Sequence, residues 1–180
     1  MVNRGPDFGE LLLQGSNPSL FKVYLGHEVI SSKSMLWGSY SAKIDEKWRL
    51  KIPAKFRRDL PETEDDTYFV TSDDGRCAQI YPIPVWDRVA QKFLEPPRMD
   101  PAKQKLQKFT SYYGVLTPMD SQGRILIPQA LREDAKISGE VIVIGRNDHL
   151  EVWNNEIIRK SLVDEPLSHA DRERLAEQGF

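Results

Sequence analysis

The sequence predicts a mainly β chain with short helices, an α+β protein built from two copies of one small unit. Three observations carry this reading. Residues 44–57 (IDEKWRLKIPAKFR) and 119–132 (MDSQGRILIPQALR) align without a gap at a constant offset of 75 residues. Asp45 falls on Asp120, Arg49 on Arg124, Ile52 on Ile127, Pro53 on Pro128 and Arg57 on Arg132, while Ile44, Leu50 and Phe56 fall on Met119, Ile125 and Leu131. The same order of elements then follows both copies, and such internal repetition decides the architecture before any local reading does.

Each copy opens on a strand, 39–44 and 114–119, that leads into an Asp-x-x-x-Arg turn. A second strand follows at 49–52 and 124–127. Leu50-Lys51-Ile52 alternates as a strand with one wet face does, whereas Ile125-Leu126-Ile127 is apolar throughout and is expected to be the more buried. Proline ends both strands, since it cannot donate to a ladder, and its fixed φ suits the first turn of a short helix at 53–59 and 128–135. A hairpin comes next in both: 67–72 with 79–81 around Asp73-Asp74-Gly75, and 141–145 with 150–153 around Arg146-Asn147-Asp148. Helical segments are expected at 85–94, 101–112 and 155–163, and residues 164–180 as a helix or frayed tail.

The domain reading is therefore 38–85 for the first unit, 86–111 for a helical linker, 112–156 for the second unit and 157–180 for a C-terminal helix or tail. A unit of about 45 residues lies near the lower limit for folding alone, so the two are expected to pack on each other. Residues 1–34, rich in Gly, Ser, Asn and Pro, have no counterpart before the second copy. They read as a poorly ordered extension or a mis-assigned start ahead of Met35; a strand near Phe21–Leu25 is the alternative.

Composition excludes several classes. The formal charge is −2 and the isoelectric point about 6.0, so a site for nucleic acid must be local. One cysteine, Cys77, rules out an intrachain disulfide framework and suits a reducing compartment. No stretch approaches the ~20 apolar residues of a membrane span, and the chain reads as cytoplasmic. His27, His149 and His169 are scattered without metal-ligand spacing, His149 reads as an exposed turn residue and Cys77 as a half-buried strand residue. No glycine-rich phosphate loop appears. The expectation is no enzyme, no cofactor, no metal and no small-molecule substrate.

The doubled turn carries the chemistry. Aspartate bonds to backbone N–H groups two residues ahead, so Asp45 and Asp120 are assigned to fixing the turns, with Gly123 supplying the conformational freedom in the second. An arginine at the far end projects a planar fork suited to phosphate oxygens or a guanine edge; pairing with the aspartate of its own turn is the competing role. Local charge distinguishes the copies. Residues 43–58 carry Lys43, Lys47, Arg49, Lys51, Lys55, Arg57 and Arg58 against Asp45 and Glu46, a balance of +5, whereas 118–133 balance at zero. A basic strip on a mildly acidic chain is the footprint expected for a phosphate backbone. Arg49, Lys47, Lys51 and Arg124 are the candidate DNA-binding residues, with the first turn expected to dominate.

The doubled D-x-x-x-R-h-x-h-P pattern, Tyr81-Pro-Ile-Pro-Val-Trp86 and the Leu150-Glu-Val-Trp153 hairpin ending resemble the MraZ family over about residues 35–160. That resemblance implies two SpoVT/AbrB-like domains forming one duplicated β-barrel from pseudo-symmetric halves. It also implies a regulator of transcription that binds double-stranded DNA at repeated boxes in the promoter of the division and cell-wall gene cluster. Ring-like homo-oligomers and association with the nucleoid are implied too. One departure stands out: the family pattern has glycine before both arginines, and here Trp48 replaces the first. Either the first turn takes another conformation or Trp48 makes contacts of its own. An AbrB-type protein-interaction module of antitoxin type, with residues 164–180 wrapping a small partner, is the alternative function.

Overall fold

The structure is a computed structural model that describes residues 22–25, 28–31, 35–61 and 63–180. Strands β1 (Lys22–Leu25) and β2 (Glu28–Ser31) form an antiparallel hairpin with Val23 opposite Ile30. They belong to a unit of their own, Met1–Lys33. The remainder of the reading given to residues 1–34 lies outside the described residues.

The second unit, Ser34–Phe180, holds the doubled pattern. Its first copy runs β3 (Ser39–Lys43), β4 (Arg49–Lys51), α1 (Ala54–Asp59), β5 (Thr67–Thr71), β6 (Ala78–Pro82) and α2 (Ile83–Leu94). Helix α3 (Pro101–Tyr113) leads to the second copy: β7 (Val115–Pro118), β8 (Arg124–Leu126), α4 (Gln129–Asp134), β9 (Glu140–Arg146), β10 (His149–Asn154) and α5 (Asn155–Asp164). Helix α6 (His169–Glu177) closes the chain.

Local chemistry sets the helix starts. Pro53 and Pro128 stay extended, at ψ 135° and 147°, as the residues capping α1 and α4 rather than entering them. Asp100 caps α3 by accepting the Lys103 N–H at 2.9 Å, with Pro101 filling the next position, where no N–H is needed. Asn154 accepts from Glu156 and Ile157 to start α5, and Ser168 and Asp171 form a reciprocal capping box at α6. Residues 169–177 are thus helical.

Six strands form one antiparallel sheet in the order β3-β9-β10-β6-β5-β7. Exchanging the copies reverses that order without changing it, so the sheet has a pseudo-twofold axis between β6 and β10, where Ile80 faces Leu150. The first strand of each copy pairs with the hairpin of the other: Tyr40 faces Val143 across β3 and β9, and Phe69 faces Leu116 across β5 and β7. Neither copy completes its sheet alone, which removes the difficulty of a 45-residue core.

Strands β4 and β8 form a separate antiparallel pair with Leu50 opposite Ile125. Among the described residues, only the single bridges Ile44–Leu50 and Met119–Ile125 link this pair to the large sheet. Continuous ladders therefore do not close the strands into a barrel. Leu50, Ile52, Phe56, Val70 and Ile80 of one copy and Ile125, Ile127, Leu131, Val143 and Leu150 of the other are buried in one shared core. Burial of each such side chain contributes about 1.5–3 kcal/mol.

Three expectations need correction. Strand β8 is not the more buried of its pair: Leu126 is 48% exposed, and both strands read partly buried, buried, exposed. The pleat, not composition, decides the face, and Leu126 occupies the position equivalent to Lys51. His149 is not an exposed turn residue; it opens β10 with its ring stacked on Tyr81 at 4.3 Å and its side chain 15% exposed. Cys77 is buried rather than half-buried and immediately precedes β6; burial pushes its thiol far above the usual range.

Candidate nucleic-acid interface

The two Asp-x-x-x-Arg turns are superimposable in their bonding. Asp45 Oδ1 accepts the backbone N–H groups of Lys47 and Arg49, both at 2.9 Å. Asp120 Oδ1 accepts those of Gln122 and Arg124, both at 3.0 Å. The backbone N–H of each aspartate donates to the carbonyl of its arginine, and the residue before the arginine donates back to the aspartate carbonyl. Trp48 and Gly123 both have positive φ, 62° and 75°. The first turn therefore does not take another conformation; the tryptophan is held in the left-handed region that favours glycine, at a local cost of about 1–2 kcal/mol.

Trp48 does make contacts of its own. Its carbonyl accepts the Ile127 N–H at 3.1 Å, as the Gly123 carbonyl accepts that of Ile52 at 2.9 Å. These two bonds tie each turn to the strand end of the opposite copy. The guanidinium carbon of Arg132 lies 4.4 Å from the centre of the Trp48 ring.

The aspartates and arginines of the two turns meet across the pseudo-axis. Arg49 donates through Nε and Nη2 to Asp45 Oδ2 at 3.0 and 2.8 Å, and through Nη1 to Asp120 Oδ2 at 3.2 Å. Arg124 donates through Nε to Asp120 Oδ2 at 2.8 Å, with Nη1 at 3.9 Å from Asp45 Oδ2. Hydrogen bonds from the backbone N–H of Arg49, followed by its side chain, hold the Asp45 carboxyl below its usual range against the opposing effect of burial. At Asp120 burial acts to raise the value, and the bonds from Arg124 and Gln122 outweigh it. Two carboxylates and two guanidinium groups make a cluster of zero net charge.

Around this neutral cluster lies an open depression of about 600 Å³, lined by Lys43, Lys47 and Lys51 together with Asp45, Glu46, Arg49, Gln122 and Arg124. All three lysines are exposed. Arg49 and Arg124, singled out from the sequence, thus sit at the centre bonded to aspartates, while the lysines supply the unneutralised positive charge. Lys47 and Lys51, expected from the sequence as contacts, are joined there by Lys43, which the sequence shows only as part of the basic run. Its position at the end of β3, where the strand enters the turn, was the available signal. Lys55, Arg57 and Arg58 lie on or beside α1 and do not line the depression. Among the described residues no group of three or more His, Cys, Asp or Glu is placed to hold a metal, and no helix is long and apolar enough to cross a membrane.

Comparison with known proteins gives a consistent family. The model described as "MraZ protein, putative antitoxin-like" matches residues 35–109 and 115–177. A protein of Acidobacterium capsulatum named transcriptional regulator MraZ is 43% identical over 146 residues, covering 81% of this chain and 100% of that protein. Its namesake in Koribacter versatilis is 38% identical over 147 residues, again 81% of this chain and 100% of the relative. The one in Nitrosomonas europaea is 38% identical over 120 residues, 67% of this chain and 81% of the relative.

Proposed function

Because the chain belongs to the MraZ family, we propose that it is a transcriptional regulator that binds double-stranded DNA through the depression around its two Asp-x-x-x-Arg turns. The observation that carries this is the division of labour in that depression. Three exposed lysines surround a charge-neutral, hydrogen-bonded arginine–aspartate core. Lysines on flexible stems neutralise phosphates without regard to sequence. The arginines, pre-oriented by the aspartates, present forks that can exchange a carboxylate for a guanine edge or a phosphate oxygen at little entropic cost.

The finer reading is that the targets are repeated boxes in the promoter of the division and cell-wall gene cluster, and that several chains act together in a ring-like oligomer. One such site is small, so affinity would come from several sites engaging regularly spaced boxes at once. The duplicated barrel belongs to the same reading: strands β3, β4, β7 and β8 would form the closing side of the barrel that carries the loops. Such a protein works in the cytoplasm, at the nucleoid, with no catalytic step and no cofactor.

A direct test is anisotropy titration of a labelled duplex from upstream of the chain's own gene against a scrambled duplex, at several salt concentrations. Tighter binding to the upstream duplex with a steep salt dependence is expected. Equal and weak binding to both would favour the antitoxin-like reading, for which the exposed Leu162 and Val163 at the end of α5 and Leu167 just beyond it supply apolar side chains.

A further inference from the structure

The residue before the arginine is Trp48 in one turn and Gly123 in the other, and each is backed by an arginine from the first helix region of the opposite copy. At Gly123 that arginine is Arg57. A side chain added to Gly123 would start 3.0 Å from Arg57 Cδ and 3.0 Å from its Nη1, so the guanidinium stem lies directly on the glycine. At Trp48 the equivalent arginine is Arg132 of α4, whose guanidinium lies over the indole, 4.4 Å from the ring centre. The Nε and Nη1 atoms of Arg132 are out of contact with water and have no hydrogen-bond acceptor. A guanidinium in that state is costly unless something compensates it, and the negative face of the indole is the compensation present.

The stack also touches the site. Trp48 lies between Lys47 and Arg49, and its carbonyl is bonded to the Ile127 N–H, two residues before the helix that carries Arg132 begins. A tryptophan held at φ 62° would relax if released, and Lys47 and Arg49 on either side would move with it.

We propose that Arg132 is a positioning residue for the first DNA-binding turn. Stacked on Trp48, it forms a strut between the two copies that fixes where Lys47, Arg49 and Lys51 meet the phosphate backbone. The inference rests on the DNA-binding reading of this site and adds a residue that touches no DNA itself. The second turn needs no such strut, because Arg57 lies on Gly123 directly.

The test uses the full chain and the duplex from upstream of its own gene. Arg132→Ala should bind about three- to tenfold more weakly than wild type, with the slope of affinity against salt unchanged, since no phosphate contact is removed. Arg132→Lys, which keeps the cation, should recover part of the loss. Trp48→Gly, which suits the left-handed turn and lets Arg132 settle as Arg57 does on Gly123, should make Arg132→Ala nearly silent when the two are combined. Urea midpoints of all variants identify any that lose the fold, and Arg132→Lys then carries the comparison. A folded Arg132→Ala chain with wild-type affinity, or losses that simply add in the double variant, would overturn the inference alone. A wild-type chain that binds neither this duplex nor a scrambled one would overturn the functional reading and the inference together.

Discussion

Arg49 of the first copy donates Nη1 to Asp120 of the second at 3.2 Å while its other two nitrogens hold Asp45. One arginine thereby spans both turns, and the two loops that the sequence presents 75 residues apart behave as one site. Exposed ion pairs stabilise a fold little, typically by 0–1 kcal/mol. The side chains here are about a quarter to a third exposed, so the chief consequence of the cluster is orientation.

Replacing Arg49 should therefore do two things. Arg49→Ala is expected to weaken binding to the upstream duplex about tenfold or more and to flatten its salt dependence, because a contact and a cation are both lost. It should lower stability by no more than about 1 kcal/mol. A gel-shift titration across salt concentrations, with a urea curve for the variant, measures both; unchanged affinity and slope would count heavily against Arg49 as a contact.

The lysines make a cleaner case. Lys47→Ala and Lys51→Ala should each reduce the slope of log affinity against log salt by about 0.9 per lost phosphate contact. Loss should be similar for upstream and scrambled duplexes, since a phosphate contact carries no sequence information. A loss confined to the upstream duplex would assign these lysines to base edges instead.

Gly123 should be the intolerant position of the pair. Gly123→Ala places a side chain at φ 75° and within 3.0 Å of Arg57, and is expected to cost about 1–2 kcal/mol in urea denaturation. Trp48→Gly, by contrast, should be nearly neutral or mildly stabilising, with relief of the backbone offset by the lost stacking.

Acid should loosen the turns. Both carboxylates are held below the usual aspartate value of 3.8, so their contribution is fully present above that value and is lost as pH falls through the lower folded values. Asp148 and Asp171 are lowered as well and add to the same limb. The stability curve should drop below about pH 4, and Asp120→Asn should make that drop shallower. An acid limb unaffected by the substitution would show that the cluster is not linked to folding.

Cys77 offers a probe of the core. Buried and with its thiol pushed far above the usual range, it should react with an aromatic disulfide reagent only as fast as the fold opens, and at once in urea. Rapid native-state labelling would contradict the packing of β6.

Much of this was legible in the sequence because it is local. The turn residues Asp45 and Asp120, the strand-ending prolines and the hairpins at Asp73-Asp74-Gly75 and Asn147-Asp148 each act over a few residues, and they stand where their chemistry predicts secondary structure. Pairing over distance was not legible. That β3 leaves its own hairpin to pair with β9, and β7 to pair with β5, depends on which edges are free once both copies have folded. Leu126 misled because an apolar residue at a wet position reads like a buried one. The bulk of Trp48 suggested a different turn, but a bonding frame repeated from Asp120 to Arg124 holds it in the glycine conformation.

The most direct measurement is a footprint of the full chain on the DNA upstream of its own gene, with Arg49→Ala alongside. Protection of regularly spaced boxes by the wild-type chain, lost in the variant at the same concentration, is the predicted result. No protected region at low salt, or protection that survives the substitution unchanged, would contradict the assignment of the doubled turn as the DNA-binding site.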